Sequence, residues 1–404
     1  MHANAPTPAP LAAGGAAGRI KVAAFHGLDG LRALRDDWRA IDGSSGLYAR
    51  YEVFEAFATH LLDAPERLRL LRCADPAGVL AVLPCVPEEG RLPPFGRVRA
   101  AGLGRHLHVG WTDFPLAARA DPRLVARALA RSPHGGALLW WQRVPVGGAA
   151  HRVAQAWPHP VCLRPAPPRN DLDTTQTFAA LASGLSKNLR ASLQKSRKRL
   201  GTDGAWRVVV TGGGGPEAAQ AFATFLQLEA SGWKGSGGTG SAVALDPRLA
   251  AFYRRLLEAG RPDLRGEIAV LEAAGRPAAA QFAMVDGQCR HVLKIAYDES
   301  LARYSPGQVL LEEMLKRACA DPALSVTSLV SDMPWHQAWR PVPEPCVEVV
   351  IVRGRSRRLA FRAYGAVLSA LRALRDGWRR RRARPPVHAD RPPSGRTPMQ
   401  GDRP

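Results

Sequence analysis

One order of predicted strands and helices occurs twice along the chain. In each half, the apolar pattern predicts a strand, two helices, a run of strands joined by short turns, another helix and another strand. This alternation is typical of an α/β fold with a mixed sheet, and the repeated order indicates a duplicated unit. The first set of predicted elements covers residues 20–25, 28–41, 51–62, 68–73, 79–86, 122–130 and 137–144. The second set covers residues 206–211, 216–231, 247–259, 267–272, 278–285, 289–295, a helix that follows Ser305, 325–330 and 347–352.

This order divides the 404 residues into five predicted segments. They are a disordered lead (1–19), an N-terminal domain (20–165), a C-terminal domain (166–352), a basic amphipathic helix (353–384) and a disordered tail (385–404). The first domain ends in a proline-rich connector, residues 165–169. The lead has no basic segment of the kind that begins a signal peptide.

The basic composition is concentrated at the C-terminus. Of the net charge of +21, residues 353–404 contribute +12 through fifteen arginines and three aspartates. The predicted helix there has an apolar stripe flanked by arginines, which suits either an anionic membrane surface or the protein's own surface. Charge confined to the tail argues against a general nucleic-acid binder. No apolar run is long enough to span a membrane, so we expect a cytoplasmic protein with peripheral contact to the inner membrane face through residues 355–384.

The cysteines and histidines give no metal-binding pattern. Six cysteines are widely spaced, without a CxxC pair or a neighbouring histidine at ligand spacing. This spacing predicts reduced thiols in the cytoplasm and no metal site. His106 and His108 also lack a partner at ligand spacing, and we interpret them as structural.

Residues 185–200 are predicted to form a basic helix between the two halves. Leucines recur at helical spacing, and the segment carries six basic residues and no acid. Either this is a surface helix with a solvated basic face, or Lys187 and Arg190 form part of a basic ledge over an anionic substrate or cofactor.

The sequence Ser305-Pro306-Gly307 predicts the beginning of another helix. Serine is a good N-cap residue, and proline in the first turn loses no useful N–H group. A helix N-terminus offers unpaired N–H groups that suit a phosphate, although an ordinary capped helix has the same residue types.

Three segments in order resemble a known family. They are the basic helix, the sequence Ser231-Gly-Trp-Lys-Gly235, and Ala296-Tyr-Asp-Glu299 followed by Tyr304-Ser-Pro-Gly307. This order resembles the GNAT-fold acetyltransferase-like proteins of cellulose and exopolysaccharide biosynthesis (the CelD/BcsL group), which are distantly FemAB-like. Residues 331–339 resemble the family's Gly-Asp-x-Pro-Tyr-Lys-x-x-Trp element, with Ser331, Trp335 and His336 in place of Gly, Tyr and Lys.

The resemblance implies tandem GNAT-like domains, each a mixed and mostly antiparallel sheet flanked by helices. It also implies that acyl-CoA, acetyl-CoA in the first instance, binds with its diphosphate on the helix that begins at Ser305. We expect the N–H groups of Gly307, Gln308 and Val309 to face the phosphates. The full set of cofactor-binding candidates is Arg303, Ser305, Pro306, Gly307, Gln308 and Val309, a degenerate form of the family's Gln/Arg-x-x-Gly-x-Gly/Ala loop.

Acyl transfer needs a base for the acceptor and an acid for the leaving thiolate. Asp298 or Glu299 could supply the base, although both could instead cap the following helix. Asp332 and His336 are four residues apart and would share a helical face. Tyr304 is the candidate acid. Trp233 and Lys234 would suit a sugar or a phosphorylated acceptor, or would anchor and stabilise a helix end.

The resemblance implies an acyl-CoA-dependent N- or O-acyltransferase that acts on a sugar, a nucleotide-sugar or another polysaccharide precursor. One alternative is FemAB-like aminoacyl transfer from charged tRNA, which the basic helix would favour. The other is a catalytically degenerate GNAT scaffold for a polysaccharide synthase complex, because the loop has one glycine and Trp335-His336 departs from the family pattern.

Overall fold

A computed structural model describes residues 20–92, 95–201, 204–330, 333–354 and 359. The predicted lead, most of the predicted basic helix 353–384, the tail 385–404, and Ser331 and Asp332 lie outside the described residues. No helix within the described ranges is long and apolar enough to cross a membrane.

The first half contains six strands and five α-helices among the described residues. The strands are β1 (Lys21–His26), β2 (Arg69–Asp75), β3 (Gly78–Arg91), β4 (Arg97–Gly102), β5 (Leu138–Pro145) and β6 (Cys162–Asp173). The helices are α1 (Gly27–Ala33), α2 (Arg35–Arg39), α3 (Tyr51–His60), α4 (Pro122–Arg131) and α5 (Ala149–Gln155). The predicted helix 28–41 is thus two helices, because the backbone at Leu34 departs from helical geometry with φ −95° and ψ 5°.

The second half follows the predicted order closely. Its strands are β7 (Trp206–Gly212), β8 (Gly260–Arg261), β9 (Leu264–Ala273), β10 (Arg276–Asp286), β11 (Cys289–Tyr297), β12 (Val326–Leu329) and β13 (Val342–Val352). Its helices are α6 (Phe178–Ser183), α7 (Lys187–Leu200), α8 (Pro216–Ser231), α9 (Pro247–Leu257) and α10 (Pro306–Ala320).

All of these strands belong to one sheet, whose order is β1-β2-β3-β4-β5-β13-β6-β12-β11-β10-β9-β7, with β8 paired to β9. The pairs β4–β5 and β11–β12 are parallel, and the other pairs are antiparallel. Strand β6 is the last strand of the first half but pairs with β12 and β13 of the second, while β13 ends the second half and also pairs with β5. The halves therefore exchange strands, and the described residues from 20 to 91 and from 97 to 353 form one compact unit.

The prediction of a proline-rich connector at residues 165–169 is wrong, because these residues lie inside β6. Along residues 162–169 the strand pairs only with β13, and its pairing with β12 is confined to residues 170–173. Proline has no N–H group to donate and is tolerated where a strand has one free edge. The predicted domain boundary between residues 165 and 166 falls within this strand, and the division into two domains stays a prediction.

Strand β11 contains a bulge that decides where its side chains point. Its pairing with β10 steps from Phe282↔Lys294 to Ala283↔Val292, so Leu293 is an extra residue. Val292 and Ile295 pack in the cluster that contains Leu311 of α10. Around the bulge, two successive residues turn the other way: Leu293 packs against the core that includes α8, and Lys294 reaches a carboxylate on α8.

Buried charges join the two halves. The guanidinium of Arg50, only 1% exposed, contacts Asp42 at 3.2 Å in the first half. It also contacts Asp286 at 2.6 Å and Asp263 at 2.8 Å in the second half. Arg261 makes a further contact with Asp42 at 3.1 Å. Because burial removes charged groups from water, the free-energy cost of burying these charges is offset only by their ion-pair partners.

Candidate active site

The site begins where β11 and β12 separate. The two strands pair from Cys289↔Val326 to Val292↔Leu329, and β11 then continues to Tyr297 after β12 has ended. Helix α10, which connects these strands, begins beside this part of β11, which pairs with β10 but not with β12. A Cβ atom built at Gly307 would lie 3.4 Å from Ile295 and 3.6 Å from Tyr297. The backbone at Gly307 is therefore close to the strand.

The first turn of α10 has one N–H group with no partner among the described residues. Ser305 is left-handed, with φ 48° and ψ 50°, and its side chain makes no capping bond. Its carbonyl instead accepts the N–H groups of Gln308 at 3.0 Å and Val309 at 3.2 Å. This corrects the expectation that these two N–H groups face a phosphate, since both are already paired. The N–H of Gly307 is left to fill that role.

The side chain of Gln308 ties α10 to the segment after β12. The indole Nε1 of Trp339, a residue only 1% exposed, donates to Gln308 Oε1 at 2.7 Å. Trp339 ends a 3-10 helix at Pro334–Trp339, the element that resembles the family motif. This bond fixes the orientation of the first turn of α10 relative to the segment that follows β12.

Under the expectation that the start of α10 holds the diphosphate of acetyl-CoA, Gln308→Leu should weaken acetyl-CoA binding by about tenfold, which is about 1.4 kcal/mol. The substitution leaves the buried Trp339 N–H without an acceptor, and the first turn of α10 loses its tether. Calorimetric titration with acetyl-CoA measures this effect. Gln220→Leu, on the exposed side of α8, is the control and should leave the affinity unchanged.

Helix α7 lies beside this turn and confirms the predicted basic helix. It packs against α10 and against the 3-10 helix Glu299–Tyr304. Arg197 forms an ion pair with Glu312 of α10, which is 4% exposed. Lys187 and Arg190 are exposed in its first turns. Their role as substrate-binding residues stays a prediction.

The structure brings Trp233 and Lys234 next to the turn that follows β11. The backbone N–H of Trp233 donates to Glu299 Oε1 at 2.6 Å. The indole is 50% exposed, and the ammonium of Lys234 lies 5.7 Å from its ring centroid. A half-exposed ring beside a cation is a suitable surface for a sugar.

The other predicted acid–base groups that the structure describes make capping or packing contacts. Asp298 accepts the N–H of Ser300 at 2.9 Å, which matches the capping interpretation. Tyr304 is half-buried, and the guanidinium of Arg303 lies 4.7 Å from its ring centroid. His336 is 3% exposed and packs against the Trp335 ring at 4.0 Å. Its predicted partner, Asp332, lies outside the described residues, so the catalytic roles stay predictions.

Sequence reasoning missed a buried polar cluster on the opposite face of β11 from α10. It contains Lys294, Glu229 of α8, Lys234, and a bond of 3.0 Å between His108 Nδ1 and the hydroxyl of Tyr253. Burial lowers the pKa of Lys294 to about 8, while Glu229 opposes this shift. Burial, aided by Lys294, lowers the pKa of His108 to about 3. A lysine within an otherwise largely apolar strand was the one local signal of this cluster.

A second buried histidine, His291, precedes this part of β11. Its ring lies 5.3 Å from that of Trp111, and burial lowers its pKa to about 3 from the ordinary 6.5. Between these values the unfolded chain binds more protons than the folded one, so the stability contributed by neutral His291 is lost as the pH falls from about 6.5.

We therefore expect His291→Gln to flatten the pH dependence of unfolding between pH 4.5 and 6.5, by up to about 1.4 kcal/mol per pH unit. Urea unfolding at several pH values measures the slope. Thr327→Val changes an equally buried polar residue that does not titrate, so it should keep the original slope. An unchanged slope in His291→Gln would contradict the lowered pKa of His291.

A mixed sheet whose parallel strands separate beside the N-terminus of their connecting helix defines a GNAT-type acyltransferase fold. Residues 187–337 match the acetyltransferase (GNAT) domain family. This confirms the predicted α/β fold and the assignment to the acyltransferases. Comparison with curated proteins finds no match.

Comparison with solved structures finds similar chains at low sequence identity. FemX has a TM-score of 0.54 and 10% identity, covering 80% of this chain and 96% of its own. L-PGS from Bacillus licheniformis has a TM-score of 0.48 and 11% identity, covering 83% and 97%. A tandem GNAT protein from the clavulanic acid biosynthesis pathway has a TM-score of 0.42 and 13% identity, covering 83% and 99%.

Proposed function

We propose that this chain transfers an acyl group from acetyl-CoA to an amine or hydroxyl group of an acceptor. The observation that carries the proposal is the open N–H of Gly307 at the start of α10, beside the part of β11 that β12 leaves unpaired. A diphosphate would accept from this N–H at the positive end of the helix dipole. Lys187 and Arg190 are exposed on α7, which packs against α10, and they are the candidates for further positive charge toward the ligand; acetyl-CoA supplies the thioester.

The acceptor is proposed to be a sugar or another polysaccharide precursor, as the resemblance to the CelD/BcsL group implies. The half-exposed indole of Trp233, with the ammonium of Lys234 beside it, supports this choice because sugars pack on aromatic rings. Asp298, Tyr304, Asp332 and His336 remain the candidates for moving protons. Contact of residues 355–384 with an anionic membrane likewise remains a proposal.

Titration calorimetry with acetyl-CoA and with S-acetylpantetheine, which lacks the diphosphate, tests the proposal. We expect acetyl-CoA to bind at micromolar to submillimolar concentration and S-acetylpantetheine not to bind at 1 mM, because the diphosphate contributes most of the polar contact. Release of free thiol in the presence of amino sugars then measures transfer. Absence of acetyl-CoA binding at millimolar concentration would reject the proposal.

A second candidate, aminoacyl transfer from charged tRNA, is favoured by one observation. The exposed side of α7 carries basic residues and no acid, next to the first turn of α10. This candidate requires tight tRNA binding that weakens steeply with salt, because each phosphate contact releases a counterion. tRNA binding without acetyl-CoA binding would replace the first candidate by the second.

A further inference from the structure

A single buried carboxylate holds two lysines on the α8 side of β11. Glu229 is 2% exposed, and its Oε1 lies 2.9 Å from the ammonium of Lys234 and 3.8 Å from that of Lys294. Its other oxygen accepts the N–H of Val243 at 2.9 Å. Both lysine side chains are only 18–19% exposed. Both oxygens of the Glu229 carboxylate therefore have partners, and Lys294 makes the longer of the two lysine contacts.

The neighbouring groups do not balance the second positive charge. Burial lowers the pKa of His108 to about 3 and raises that of Tyr253 well above 10, so both are neutral at pH 7. Glu229 is the carboxylate that acts on Lys294, while Lys234 repels it. Within this cluster two ammonium groups thus share one carboxylate. A buried charge without a complete partner costs free energy, and an anion would remove that cost.

The position of the cluster indicates which ligand would supply the anion. Because of the bulge at Leu293, Lys294 points away from α10, toward α8 and the Ser231–Lys234 segment. The first turn of α10 lies on the other side of the strand, beside Ile295 and Tyr297. An acyl donor bound at the start of α10 and a second ligand bound by Lys294 would thus approach β11 from its opposite faces. The half-exposed Trp233 borders the same cluster.

We infer that Lys234 and Lys294 bind a carboxylate or phosphate group of the acyl acceptor, so that the acceptor is an anionic molecule. This inference rests on the proposed function, because it names the substrate class of the same site. Glu229 holds the two ammonium groups at a common position and competes with the ligand for them. The acceptor's anion accepts hydrogen bonds from both lysines, and its remaining part extends toward Trp233.

Calorimetry on the full chain at pH 7 tests the inference with three probes of similar size. D-glucuronate carries a carboxylate, glucose 6-phosphate a phosphate, and glucose no charge. We expect at least one of the two anions to bind at millimolar concentration and glucose not to bind, and comparison of the anions tells which group is preferred. If neither anion binds, the inference is wrong.

Variants that remove a positive charge and a variant that removes the negative charge should change anion binding in opposite directions. Lys294→Met and Lys234→Met should each weaken anion binding by at least tenfold, whereas Glu229→Gln should strengthen it severalfold because the competing charge is gone. Lys21→Met, on the exposed edge of β1, is the control and should bind like the unchanged protein. Equal affinity in all of these variants would overturn the inference.

Acetyl-CoA titration of the same proteins separates the two proposals and reports on folding. A variant that still binds acetyl-CoA is folded, so its loss of anion binding is attributable to the charge. Acetyl-CoA binding without anion binding rejects only the anionic acceptor. Anion binding without acetyl-CoA binding rejects the proposed function and, with it, the assignment of the anion to an acceptor.

Discussion

Replacing Gly307 by glutamate is expected to weaken acetyl-CoA binding about a hundredfold, which is about 2.8 kcal/mol. A Cβ at this position would point toward Ile295 and Tyr297, so the added carboxylate would lie between α10 and the part of β11 that does not pair with β12. There it would repel the diphosphate and compete for the open N–H group. Titration calorimetry on the purified variant gives the affinity directly.

Two control variants distinguish the effect of the added charge from the effect of its position at residue 307. In Gly307→Ala the new Cβ meets Ile295 at 3.4 Å, an ordinary contact, and affinity should fall by less than tenfold. Gly215→Glu places the same charge at the N-cap of α8, where no atom lies within 4 Å of the new Cβ. If this variant weakened binding as much as Gly307→Glu does, the site at α10 would be disproved.

Replacing Arg50 by methionine is expected to lower the free energy of unfolding by about 3–5 kcal/mol. The methionine fills much of the same volume but leaves Asp42, Asp263 and Asp286 without the cation that they share. Arg261 still pairs with Asp42 and Asp263. The buried Asp286, however, loses its cation and must either stay charged at high cost or take up a proton. Guanidinium chloride unfolding at pH 7 measures the difference.

The control for this prediction is Arg32→Met. Arg32 pairs with Asp29 at 2.9 Å on the surface of α1, where the side chains are 55% and 96% exposed. Such pairs contribute about 0–1 kcal/mol, so the control should unfold almost like the unchanged protein. A loss in Arg50→Met no larger than that in Arg32→Met would show that the buried network does not join the halves.

Most elements of the fold were predictable because they depend on local patterns. The strands at β9, β10 and β11 have largely apolar sequences separated by short turns, and α8 and α9 begin with proline in the first turn. The strand β6 was missed because prolines normally argue against a strand. Only the arrangement of the sheet, which leaves one edge of residues 162–169 unpaired, makes them acceptable.

The candidate site was predictable only in part. The start of α10 has a local sequence signature, and so does the segment at Trp233-Lys234. The cluster around Glu229 could not be found in this way, because His108, Glu229, Tyr253 and Lys294 are far apart in the sequence and meet only after folding. His108 was interpreted as structural for the same reason: its partner, Tyr253, is 145 residues away.

The two sides of β11 beyond its extra residue can vary independently. Beyond Leu293, positions 294 and 296 belong to one side of the sheet, and positions 295 and 297 to the other. Under the proposed function, substitutions at 294 would change which acceptor is selected without altering the contacts of the donor. Deleting Leu293 would leave Lys294 as the single residue between Val292 and Ile295, so strict alternation would return and each of these side chains would keep its side.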